Sequence, residues 1–148
     1  MQFYKLEVVT MKKIALLIVY FGLVACHTSV KKEDIQKING YWEIKQVALP
    51  NGEKKEYKVN ETIDYFELKG DKGFRQKVMP QFDGKFKTND IKEVIKISEK
   101  EDCFFIEYST KYGKWKEEIV SIEDSTLILK TKDKLEYTYK KFKPFSFE

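Results

Sequence analysis

The sequence is poor in the residues from which cross-linked and reactive proteins are built, with two cysteines, one histidine, three prolines and seven glycines in 148 positions. Cys26 and Cys103 cannot supply a disulfide framework or a thiolate-rich metal site. His27 stands alone, so no Ser/His/Asp relay is available. Arg75 is the only arginine. Cations are not in large excess either: 28 Lys and Arg face 24 Asp and Glu, and beyond residue 25 the balance is 25 against 23. A protein that grips a nucleic-acid backbone concentrates cations on one face, so no nucleic-acid partner is expected. Carboxylates cluster at Glu61, Asp64 and Glu67 and at Glu99, Glu101 and Asp102, but nothing singles out a catalytic pair. Cys103 is a lone thiol, expected to be inert. The expectation is a protein that is not an enzyme and carries no metal and no cofactor.

One continuous apolar run is present. Ile14 to Val24 spans 11 residues after the positive Met11-Lys12-Lys13, too short for a bilayer and the right length for a secretory signal. It ends in Leu23-Val24-Ala25-Cys26, which resembles a bacterial lipobox. The resemblance implies that Cys26 receives a diacylglyceryl group and becomes the new N-terminus, so that residues 1–25 are a signal peptide whose translation start lies at Met1 or Met11. Two or three acyl chains on one cysteine hold a protein at a membrane far better than one chain does. The partner so implied is a membrane of the bacterial cell envelope, expected to be the outer membrane. Residues 26–37 are polar and charged and read as the tether. Lys32-Glu33-Asp34 resembles a surface-export signal of some bacterial lipoproteins but fits an ordinary solvated charge run better, so the membrane face stays open.

From Gly40 onward, apolar residues alternate with polar ones and turn residues arrive every eight to twelve positions, the pattern of an antiparallel meander. Strands are expected at Tyr41–Ala48, Ile63–Lys69, Phe74–Met79, a short piece after Asp83-Gly84 through Lys87, Glu93–Ser98, Cys103–Ser109, Lys114–Ile122, and around Leu127–Leu129 and Tyr137–Tyr139. In the Lys114–Ile122 stretch, Trp115 and Ile119 fall out of phase with Val120 and Ile122, which predicts a bulge near Glu118. Successive hairpins without long crossovers exclude parallel βαβ units, and a long twisted ribbon removes its edges by closing. The expected fold is all-β: an up-and-down barrel of eight or nine strands over residues 38–142, with a short tail at 143–148.

Ile38-Asn39-Gly40-Tyr41-Trp42-Glu43-Ile44 resembles the Gly-x-Trp segment that opens the first strand of lipocalins. The run Asp124 to Leu129 followed by Tyr137 to Phe142 resembles the last hairpin of bacterial lipocalin-like lipoproteins. The resemblance implies a short helical turn at Asp34–Ile38, a Gly40 that permits close backbone approach, and a Trp42 that plugs one end of the barrel. The chain departs from lipocalins in lacking the last-strand arginine that lies over the tryptophan. Lys140 or Lys141 would stand in for it, as a weaker partner because lysine has no planar guanidinium.

An eight-stranded barrel is either filled by its own side chains or holds one small ligand. Alternation places Phe66, Phe74, Phe104, Tyr108, Trp115 and Tyr137 inward as candidate walls. Gln46, Gln76 and Glu117 fall on the same apolar face, and Gln76 and Glu117 are the candidate polar contacts of a ligand. A buried polar group without a partner costs about 1–3 kcal/mol, so such residues reach water at the mouth, pair with each other, or meet a ligand. Two functions follow. One is a monomeric, membrane-anchored binding module for a small hydrophobic or amphipathic molecule; the other is a solid barrel with a structural or protein-interaction role in the envelope.

Overall fold

The computed structural model describes residues 30–144. The signal segment, the lipobox with Cys26 and His27, the first part of the tether and the end of the tail lie outside the described residues. The described chain opens with a 3₁₀ helix, Lys32–Ile38, that takes up the end of the expected tether and begins two residues before the expected turn. Ile35 and Ile38 are its buried side. Nine strands follow: β1 Gly40–Ala48, β2 Lys54–Glu56, β3 Ile63–Lys69, β4 Lys72–Pro80, β5 Phe86–Lys100, β6 Cys103–Thr110, β7 Gly113–Ile122, β8 Thr126–Thr131 and β9 Glu136–Lys141.

From β3 onward each strand pairs antiparallel with the next, and β9 returns to pair with β1 from Trp42 to Ala48. The other edge of β1 is shared: Gly40–Trp42 pair with β3, and Gln46–Ala48 with the short β2. The result is a closed eight-stranded barrel with β2 as an added strand, the lipocalin-like architecture expected. Two strands depart from the expected pattern. The exposed Lys54–Glu56 has no apolar periodicity to reveal it as a strand, and the two short strands expected between residues 85 and 98 are one long β5. That strand bends at Asp90, which has φ +59°. There Thr88 Oγ1 accepts from the Asp90 amide and Asn89 Oδ1 from the Ile91 amide.

One end of the barrel is closed. Trp42 is fully buried and its indole N–H donates to the Ile38 carbonyl at 2.7 Å, fixing the helix across the opening. Lys141 Nζ sits 4.3 Å from the Trp42 ring and donates to the carbonyls of Lys37 and Asn39, so the stand-in lysine is Lys141, whereas Lys140 pairs with Glu43. Gly40 has φ +112°, and a Cβ there would lie 3.2 Å from the Lys141 side chain, so both its conformation and its packing call for glycine. Phe66, Ile95, Ile106, Leu127 and Leu129, each fully buried, fill the barrel above this plug.

Bulges decide which residues face in. The bulge expected near Glu118 falls between Ile119 and Ser121, so that Ile119 and Ile122 are both buried. A second, between Ile44 and Gln46, turns Val47 inward and Gln46 outward, against the expectation for Gln46.

Candidate functional site

The open end is built by β4 to β8. Residues directly opposite in an antiparallel pair share a face. Phe66 lies opposite Arg75 and Arg75 opposite Glu93, so the only arginine and a carboxylate point into the barrel. Tyr108 lies opposite Trp115, and Ile106 opposite Glu117, which brings an aromatic pair and a second carboxylate to the same interior.

This register corrects the expectation for β4. Phe74 and Gln76 face outward. Phe74 lies opposite Glu67 and Val94, 6.0 Å from the Tyr65 ring and beneath Lys92 Nζ at 4.0 Å. Gln76 is buried on that outer side, where its amide donates to Thr88 Oγ1. The physical reason is an aromatic strip on the outside of the barrel. Tyr41 stacks on Phe86 at 4.1 Å and contacts Tyr65 at 4.7 Å, so the outer face of β3 and β4 is itself an apolar environment. Inside, Gly73 is forced, because a Cβ there would lie 1.8 Å from the Glu67 carbonyl oxygen.

The interior groups form a connected row. The Arg75 guanidinium lies 4.3 Å from the centre of the Tyr108 ring, and Trp115 stacks on Tyr108 at 5.0 Å and 8°. Arg75 Nε donates to Glu93 Oε2, and Nη1 donates to the Tyr108 hydroxyl at 3.4 Å. That hydroxyl in turn donates to Glu117 Oε2 at 2.7 Å, while Arg75 Nη1 lies 3.8 Å from the same oxygen. Asp64, almost fully buried, pairs with Lys77 Nζ at 2.7 Å. Burial pushes the Glu117 carboxyl above its ordinary range, opposed by the Tyr108 hydrogen bond and the Arg75 charge. Burial also pushes the Tyr108 and Tyr139 phenols well up. Burial works against the charge on Arg75, yet Tyr108, Glu93 and Asp64 together hold its pKa above the usual value.

Beside this row is a cleft of about 780 Å³ lined by Val94, Ile95, Tyr108, Trp115, Glu117 and Thr131, with the exposed Lys114, Lys132 and Asp133 also on its wall. Trp115 is 39% exposed. Three of the eight residues expected to meet a ligand, Tyr108, Trp115 and Glu117, therefore come together. The other inward residues are elsewhere: Phe66 is fully buried below, and Phe104 lines a recess at the closed end with Ile35, Gln36 and Gly70. Tyr137, half-buried, packs against the core. Arg75, Glu93 and Asp64 were missed. The signal for Arg75 was an inward Glu117 in need of a cation, in a chain with a single arginine.

Comparison with known proteins fits this architecture. The model of the family described as "Lipocalin-like domain" matches residues 38–129, and the chain belongs to that family. A crystal structure of a lipocalin-like protein from Bacteroides uniformis is similar at 15% sequence identity and a TM-score of 0.46, covering 72% of this chain and 99% of that one. No curated protein matches the chain.

Proposed function

We propose that this protein is a lipid-anchored, monomeric lipoprotein of the bacterial envelope, held at the outer membrane through Cys26, whose barrel binds a small hydrophobic or amphipathic molecule without transforming it. The binding part rests on one observation, the cleft walled by Tyr108, Trp115 and Glu117 at the open end. Its volume is in the range of pockets for small molecules, and Val94, Ile95, Tyr108 and Trp115 give it an apolar floor ringed by charged side chains. The solid-barrel alternative draws support from the closed half, where Trp42, Phe66, Ile95, Ile106, Leu127 and Leu129 leave no room. A binding protein needs only one open end, so the packed half is compatible with either reading and the cleft favours the first.

Native mass spectrometry of the chain purified without detergent tests the binding reading. A co-purifying small molecule that is lost in Trp115→Ala supports it. A bare mass, with no uptake from a panel of fatty acids, alcohols and amines, contradicts it. The anchor rests on the Leu23-Val24-Ala25-Cys26 pattern. Mass analysis of the mature N-terminus should find an acylated Cys26, and an unmodified Cys26 would remove the membrane from the account.

A further inference from the structure

We propose that the group recognised deepest in the cleft is a protonated amine, held by Glu117 with the ligand's apolar part against Trp115. This rests on the binding reading above and narrows it to cationic amphiphiles. The argument is a count of partners. Arg75 Nε is committed to Glu93, and Lys77 Nζ to Asp64. Glu117 is the third carboxylate of the interior, its side chain is 10% exposed, and the nearest cation is Arg75 at 3.8 Å, beyond hydrogen-bond reach. Its Oε2 accepts from Tyr108, while Oε1 accepts no hydrogen bond from any described residue. Among the described residues the buried side-chain oxygen without a hydrogen-bond partner is Asp64 Oδ1, held by its ion pair with Lys77, so Glu117 Oε1 is not sealed in the interior but open to the cavity it borders.

The neighbouring surfaces suit a cation better than an anion. Trp115 is covered by Tyr108 on one side, and among the described residues no other ring and no cation lies against it. An indole face attracts an ammonium and accepts an alkyl chain. A ligand carboxylate in the same place would meet Glu117 at close range where charge is poorly screened. Lys96, Lys114, Lys116 and Lys132 also border the cleft, beside Glu107 and Asp133, but all six are exposed, so solvent screens them far more than it screens Glu117.

The test uses three probes of one chain length: octylammonium, octanol and octanoate, each titrated into the purified full chain at neutral pH and followed by tryptophan emission and calorimetry. Octylammonium should bind about tenfold or more tighter than octanol, the gain expected of a charge-assisted hydrogen bond, and octanoate weakest. In Glu117→Gln the ratio of amine to octanol affinity should fall to near one, whatever happens to octanol's own affinity, with a thermal melt reporting whether the variant is folded. The wild-type comparison needs no variant. Octanoate or octanol binding as tightly as the amine overturns the amine assignment and leaves the binding site standing. No binding of any of the three overturns the binding reading as well.

Discussion

The two ends of the barrel use the same motif, a cation over an aromatic ring, to opposite effect. At the closed end Lys141 lies over Trp42 and its ammonium is satisfied by backbone carbonyls of Lys37 and Asn39. Trp42 is itself bonded to Ile38, and nothing in the group is left open. At the open end Arg75 lies over Tyr108, but the polar partners are carboxylates and the row ends in a tryptophan 39% exposed. One end is therefore complete within the chain, whereas the other has an aromatic face and a carboxylate oxygen still available. The contrast teaches that burial of polar groups in this barrel is not a packing defect. Of the buried polar residues, Glu117 adjoins the cavity, whereas Asp64 lies opposite Trp42 and Gln76 is buried on the outer face.

The closed end should dominate stability. Trp42→Ala removes the largest buried side chain together with its hydrogen bond, and should cost about 3–5 kcal/mol in denaturant melts, against within about 0.5 kcal/mol for the exposed Lys45→Ala on the same strand. Equal costs would break the distinction between the faces of β1.

Arg75→Met should come next. It leaves Glu93 and Glu117 in the interior without their cation, and breaking a buried pair from one side costs about 3 kcal/mol. A variant as stable as the parent would mean that the row is not an electrostatic unit. The double variant Arg75→Met with Glu117→Gln should recover part of the loss, which a double-mutant cycle would measure.

A smaller effect is a pH dependence. The Glu117 carboxyl is raised in the fold chiefly by burial, so the folded chain holds that proton more tightly than the unfolded one. The contribution is fully present below the unfolded-state pKa and is lost as pH rises through the folded-state value. Glu117→Gln should flatten that part of the stability curve. Tyr108→Phe deletes the hydrogen bond that favours the carboxylate and should raise the Glu117 pKa further, as read by carboxyl-carbon NMR. A Glu117 that titrates in the ordinary carboxylate range, unchanged by Tyr108→Phe, would contradict this.

How far the sequence was legible divides along the same line. The meander was readable because alternation persists in β3, β6, β8 and β9 and up to the bulges of β1 and β7, and Gly40 and Trp42 marked the closed end. The open end was readable on β6 and β7, where Tyr108, Trp115 and Glu117 keep one phase. It failed on β4, because Phe74 and Val78 suggest an inward face that the outer aromatic strip of Tyr41, Tyr65 and Phe86 overrides. Alternation alone cannot tell an apolar outer strip from a core. It failed at Gln46 for another reason: a one-residue bulge reverses every facing beyond it, and neither Lys45 nor Gln46 announces one.

The central claim is that ligand enters at the open end and stays above the plug. Contact quenching with a bromine-bearing octyl probe tests it directly, because the chain has only Trp42 and Trp115. The account predicts that quenching survives in Trp42→Phe and disappears in Trp115→Phe. Quenching that persists in Trp115→Phe, and so reports on Trp42, would place the ligand in the half of the barrel filled by Trp42, Phe66 and Leu127.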